Sequence, residues 1–129
     1  MPTWILNTEF KFDAAHYIDG YNGKCGRMHG HTYKVLMKAK SNKLNPSAYL
    51  GTSDMVCDFK ELKWAAKDSK KGGFDHGVLN DLMQENTTAE RIAEYIHQET
   101  KKRIPSDIEL EVTVWENETS WVSYTDNDV

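Results

Sequence analysis

The sequence predicts an α+β fold built on a four-stranded antiparallel sheet with two helices on one face. Two observations carry this. Segments with strand periodicity stand in pairs near the two ends of the chain, 3–16 and 29–40, then 107–116 and 121–124. The two segments with helix signals lie between those pairs, so strands and helices are segregated along the chain. There is no internal repeat and no low-complexity stretch, and 129 residues suit one domain spanning 1–129.

The first strand is set by alternation. Leu6, Thr8, Phe10, Phe12 and Ala14 alternate with Asn7, Glu9, Lys11 and Asp13, the period of a half-buried strand. Continued to its end, the alternation turns His16 inward. A lone inward histidine is ordinarily a packed core residue. Residues 17–28, with Gly20, Asn22, Gly23 and Gly26, form a loop too long for a tight hairpin, a place where function often sits.

The next strand opens on His29-Gly30-His31. Its odd positions, His29, His31, Tyr33, Val35, Met37 and Ala39, share one face, because strand side chains alternate. An antiparallel neighbour brings His16 beside the pair. Three imidazoles converging on one face make a candidate metal site, with zinc as the first expectation. Cys25, just upstream, is a fourth ligand or a group acting beside the metal. Three protein ligands already suffice for a catalytic zinc site, and a fourth would close it to substrate. Cys25 is therefore read as a nucleophile or base standing beside the metal.

Residues 41–53 read as an exposed connection and Asp54-Met55-Val56-Cys57 as a short strand. Asp58 with Glu61 has capping-box spacing and opens a helix running to about Lys71, stopped by Gly72-Gly73. Phe74 to Asn80 is a loop carrying Asp75-His76, a pairing common by chance. Thr87 and Glu90 repeat the capping-box spacing and open a second helix that ends before Pro105. Ile92, Ala93 and Ile96 form its apolar stripe, and His97 falls one position beyond it, as a surface residue. In the third strand Ile108, Leu110, Val112 and Val114 face inward, and Glu116 continues that phase. Glu116 either marks a strand already ended in solvent, or anchors a ligand by accepting N–H bonds from an amino-pyrimidine edge. Asn117 to Ser120 turns into the last strand.

Composition excludes several classes. A net charge of -4 argues against nucleic acid as a partner. No apolar run approaches the ~20 residues that span a bilayer, and the first residues lack a signal peptide's basic and apolar segments. A cytoplasmic protein with no membrane partner is expected. Cys25 and Cys57 are then free thiols.

Taken in order, Phe12-Asp13-Ala14-Ala15-His16, the stretch Cys25 to His31, Met55 to Phe59, Asp75-His76, Thr88-Ala89-Glu90 and Glu116 resemble the 6-pyruvoyltetrahydropterin synthase / 6-carboxytetrahydropterin synthase family over nearly the whole length. Three residues between the cysteine and His-Gly-His resemble the bacterial 6-carboxytetrahydropterin synthases of queuosine biosynthesis. The pyruvoyl-forming enzymes typically carry two more. No glutamate lies among Gly26, Arg27 and Met28, unlike a folate-pathway branch. The sequence departs from the family in having Thr87 where Pro is frequent, and in a longer segment from Ser41 to Ser53.

The resemblance implies a T-fold, in which sheets of several subunits join into a barrel, commonly a homohexamer of two stacked trimers with sites between subunits. It implies a zinc-dependent lyase acting on 7,8-dihydroneopterin triphosphate. The metal ligands would be His16, His29 and His31. Cys25, Asp75 and His76 would be catalytic. Glu116, Thr87, Thr88 and Arg27 would bind substrate, with lysines of a neighbouring subunit helping to hold the triphosphate. A pyruvoyl-forming synthase and a non-catalytic zinc or pterin-binding module are the alternatives.

Overall fold

The computed structural model describes residues 2–67 and 74–126. Its frame is a sheet of long strands, β1 (Trp4–His16), β2 (His29–Ser41), β4 (Glu109–Asn117) and β5 (Ser120–Thr125). A two-residue strand, β3 (Gly77–Val78), adds a fifth member to the expected four, and the order is β3-β1-β2-β4-β5. Strands β1, β2, β4 and β5 pair antiparallel, and β3 runs parallel to β1 at Ala14 and Ala15. The helices are α1 (Phe59–Leu62), α2 (Trp64–Lys67) and α3 (Ala89–Lys101), with α3 packed across β4 and β5. Among the described residues no helix is long and apolar enough to cross a membrane.

The strand phases match the core. Phe12, Ala14 and His16 of β1 are buried, as are Tyr33, Val35, Met37 and Ala39 of β2 and Leu110, Val112 and Val114 of β4. Ile92, Ala93 and Ile96 of α3, with Leu62 and Phe74, close over this face. Burying each large apolar residue here adds roughly 1.5–3 kcal/mol, which fixes the register that aligns His16 with His29.

Several expectations are corrected. Residues 54–57 form no strand, only an isolated bridge between Met55 and Asn45, because the Asn45 side chain takes up Val56 O instead of a ladder partner. Asp58 does cap α1, accepting from Lys60 N at 2.9 Å, but the helix breaks at Lys63. The expected stop at Gly72-Gly73 lies outside the described residues. Thr88, not Thr87, caps α3, accepting from Arg91 N at 3.2 Å. The loop after Phe74 contains β3, followed by a 3-10 turn at Leu79–Asp81.

His97 is the clearest correction. It is 1% exposed rather than at the surface. The buried side of α3 comprises Ile92, Ala93, Ile96, His97 and Thr100, a stripe wide enough to take in the next position of the turn. His97 Nε2 bonds Leu110 O at 3.0 Å, and its ring meets Tyr124 edge-on.

Candidate metal centre and proton-transfer pair

Strand register assembles the three histidines. His16 lies opposite His29, and His31 lies opposite Ala14, two residues back along β1. All three therefore project from the core side at one end of the sheet. Their ring centroids are 4.5, 5.1 and 4.8 Å apart, in edge-on arrangements. Tyr33 lies beneath, edge-on to His16 and His31.

The nitrogens have distinct tasks. His16 Nδ1 donates to Thr87 O at 2.9 Å, and His29 Nδ1 donates to Arg27 O at 2.6 Å. Each ring so held carries its proton on Nδ1 and presents a bare Nε2, the tautomer that ligates metal. Nε2 of His16, His29 and His31 is in every case buried without a hydrogen-bond partner. Buried polar atoms of native proteins are ordinarily satisfied. Three such nitrogens within 4.8 Å of one another fit a cation. Burial holds His16 and His31 below the ordinary histidine pKa, only partly offset by Thr87 O and by Glu116 respectively, which keeps the lone pairs free near neutral pH.

Glu116 joins this group. Its Oε1 lies 3.2 Å from His31 Nε2, and the four ligand atoms all fall within 4.8 Å of one another. The inward phase predicted for β4 thus persists to Glu116, with a register irregularity between Trp115 and Asn117 just where it turns in. The carboxylate is neither fully buried nor simply solvated, at 31% side-chain exposure. Glu116 thus stands beside the three histidines read from strand phase as a further possible donor.

Asp75 and His76 stand at the β3 edge. Asp75 Oδ2 accepts from His76 Nδ1 at 2.9 Å, and Asp75 Oδ1 accepts from Asp13 N at 3.0 Å. The Asp13 N–H, and His76 after it, hold the Asp75 carboxyl below its ordinary pKa, so it remains an acceptor. His76 adopts a positive φ of 62°, rare for a residue with a side chain, and its N–H donates to Asp13 O at 2.6 Å. Asp13 thus grips both members through its backbone. Its own carboxylate accepts from Thr32 Oγ1 across the strands. Asp13 was legible in the sequence only as a polar-phase residue of β1.

A cavity of about 490 Å³ joins the two groups: Asp13, Ala14, Gly30, His31, Thr32 and His76 are among its walls. A second, of about 620 Å³, is lined by His31 and Glu116 together with Lys11, Lys34 and Trp115. His31 belongs to both.

Cys25 sits in a 3-10 turn, Lys24–Gly26, half-buried, its carbonyl accepting from Ile18 N at 2.7 Å. The turn needs glycine at position 26, where a Cβ would lie 2.5 Å from Tyr21 O. The Cys25 thiol is not part of the four-donor group. Arg27 lends its carbonyl to His29. Thr87 is fully buried beneath His16, and Thr88 is occupied as the α3 cap. Asn80 and Asn86, which sequence inspection passes over, each bond a backbone N–H and C=O, of Tyr17 and Asp19 respectively.

A family model described as 6-pyruvoyl tetrahydropterin synthase matches residues 5–127. A Haemophilus influenzae protein named 6-carboxy-5,6,7,8-tetrahydropterin synthase is 31% identical over 143 aligned positions, covering 92% of this protein and 96% of its own length. One of the same name from Synechocystis is 38% identical over 94 positions, 72% and 71% of the two proteins. Among solved structures, Caenorhabditis elegans 6-pyruvoyl tetrahydropterin synthase aligns with a TM-score of 0.72 at 22% identity over 98% of both. The Plasmodium vivax enzyme gives 0.69 at 20% identity, over 99% of this protein and 100% of that one. These two likenesses establish a shared fold.

Proposed function

The chain belongs to the 6-pyruvoyl tetrahydropterin synthase family, and we propose that it is a zinc-dependent lyase of the 6-carboxytetrahydropterin type. The reaction takes 7,8-dihydroneopterin triphosphate and one water to 6-carboxy-5,6,7,8-tetrahydropterin, acetaldehyde and triphosphate, a step of queuosine biosynthesis. The observation that carries the reading is the convergence of three buried, unpartnered imidazole nitrogens.

His16, His29 and His31 would hold the zinc. Bound there, it would supply Lewis-acid polarisation of the oxygens on the substrate's three-carbon arm. Cys25 acts as the base that takes a proton from a C–H of that arm. His76, oriented by Asp75 through Nδ1, keeps its other nitrogen free to accept or return a proton. Glu116 accepts N–H bonds from the amino-pyrimidine edge of the pterin. The Thr87 and Thr88 hydroxyls are committed to internal hydrogen bonds, so contacts from this corner fall to backbone groups. Arg27 and lysines of a neighbouring subunit bind the triphosphate.

The assembly is a homohexamer in which sites form between subunits. Two features support this. Among the described residues, β1 is paired on its outer edge only at Ala14 and Ala15, and β5 ends the sheet on the other side. Open edges of this length invite pairing with further copies.

The test is product analysis of the zinc-loaded protein with 7,8-dihydroneopterin triphosphate. Acetaldehyde and the 6-carboxy pterin are expected in equal amounts. A pterin that retains its three-carbon arm, with triphosphate released, makes the protein a pyruvoyl-forming synthase. Tight pterin binding without turnover makes it a binding module.

A further inference from the structure

We propose that the Thr87 hydroxyl is a positioning group for the metal: as a second acceptor beside the Thr87 carbonyl it helps hold the His16 Nδ1–H and the ring's orientation, and so tunes the site's affinity for zinc. The inference rests on the metal site proposed above. Thr87 Oγ1 lies 3.2 Å from His16 Nδ1 and donates to Tyr17 O at 3.0 Å. An oxygen that gives its proton to Tyr17 has only lone pairs to offer His16. The Nδ1–H is therefore shared between two acceptors of one residue, Thr87 O at 2.9 Å and Thr87 Oγ1. Were the hydroxyl free to rotate, it could donate to Nδ1 and stabilise the opposite tautomer, whose Nε2–H cannot ligate. Its bond to Tyr17 O removes that option.

The anchor is itself braced. The Asn80 side chain bonds Tyr17 N and Tyr17 O at 3.0 and 2.9 Å, so the carbonyl that takes the Thr87 proton is held from a second direction. Asn86 bonds Asp19 in the same two-point way at 3.0 Å each, and accepts from Thr87 N at 3.1 Å. The end of β1, the turn after β3 and the start of α3 are thereby tied around one imidazole. Thr87 and His16 are 0% and 1% exposed, so water does not substitute for the hydroxyl.

Thr87→Val keeps shape and backbone carbonyl, and Tyr17 O keeps its Asn80 donor. Chelator competition should show zinc bound about tenfold more weakly by this variant, the lower end for loss of a partner behind a metal ligand, with Thr87→Ser within about twofold of wild type. Imidazole nitrogen NMR on metal-free wild type should show His16 as the Nδ1–H tautomer, and Thr87→Val, which keeps the backbone carbonyl at 2.9 Å as acceptor, should show the same tautomer. Equal zinc affinity in wild type and Thr87→Val overturns the inference, as does an Nε2–H tautomer in metal-free wild type, a measurement that stands even if the valine variant fails to fold. A wild-type protein that takes up no zinc sinks the metal reading itself, a distinct result.

Discussion

Stripping the metal should cost this fold much of its stability, and the size of the loss can be worked from three atoms. Nε2 of His16, His29 and His31 is buried and makes no hydrogen bond, with Glu116 Oε1 3.2 Å from His31 Nε2. Leaving a buried polar group unsatisfied costs roughly 1–3 kcal/mol. At ~1 kcal/mol each, the three together forfeit about 3 kcal/mol that a bound cation restores. Unfolding entropy of about 2.1 cal/mol/K per residue, over 129 residues, is about 0.27 kcal/mol/K. Zinc should then raise Tm by about 10 °C. The same ~3 kcal/mol corresponds to free zinc somewhat above a hundred times Kd, a condition micromolar zinc meets for a nanomolar site. The assay is calorimetry of one preparation with zinc, after chelation, and after zinc is returned, with metal content followed by elemental analysis. His31→Ala provides the control and should melt at a temperature nearly independent of zinc. If fully chelated wild type melts within about 3 °C of the loaded form, the three nitrogens are satisfied by something other than metal and the reasoning fails.

Cys25→Ala should retain full zinc stoichiometry while losing at least a hundredfold in kcat, because its thiol stands outside the four-donor group; loss of zinc in this variant would make Cys25 a ligand. Asp75→Asn should lower kcat by about a hundredfold with zinc affinity unchanged, since it weakens the hold on His76 Nδ1 and touches no donor of the histidine group. Tyr33→Phe removes a fully buried hydroxyl that has no partner; its stability should be unchanged or rise by about 1 kcal/mol, and a loss above that in a denaturant titration would show the hydroxyl to be bonded. The metal-free protein should lose stability as pH falls through ~6.5: burial holds His16, His31 and His97 below that ordinary value, so the unfolded state takes up protons the folded state refuses. Denaturant melts from pH 8 to pH 5 would refute this if stability stayed flat or rose on acidification.

What the sequence could and could not show follows from which signals are periodic. Strand phase assigned His16, His29 and His31 to the core side, because a one-residue slip would have exposed Tyr33, Val35 and Met37, and it left Glu116 open between an inward anchor and a solvated strand end. The histidine cluster is legible in the sequence for that reason. The helical signal is coarser. The stripe on α3 widens by one position to bury His97, and a 3.6-residue period does not say how wide the covering surface is. Capping is degenerate where two threonines adjoin: Thr87 has Glu90 at capping-box spacing and Thr88 has Arg91 there, yet Thr88 is the cap and Thr87 is drawn under His16. Loop groups carry no period at all. Nothing in the sequence says that Asp13 N reaches Asp75, or that Asn80 grips Tyr17, contacts 62 and 63 residues apart.

The same distinction bears on how the site is built. The metal donors come from regular strands, whose register is set by a large apolar core, so their spacing is rigid. The Asp75–His76 pair comes just before a two-residue strand and is held to β1 through Asp13, with His76 in a left-handed conformation. Side-chain exposure of 78% for His76 leaves the ring open to solvent. On the proposed reading, the pair would be completed from outside and the histidines by a cation from within. Dilution below the assembly's dissociation constant should therefore abolish turnover while zinc stays bound, and parallel measurements of zinc content, sedimentation and rate across a concentration series would separate the two. If the rate per subunit is unchanged in a monomeric sample, one subunit holds a whole site and the inter-subunit reading is wrong.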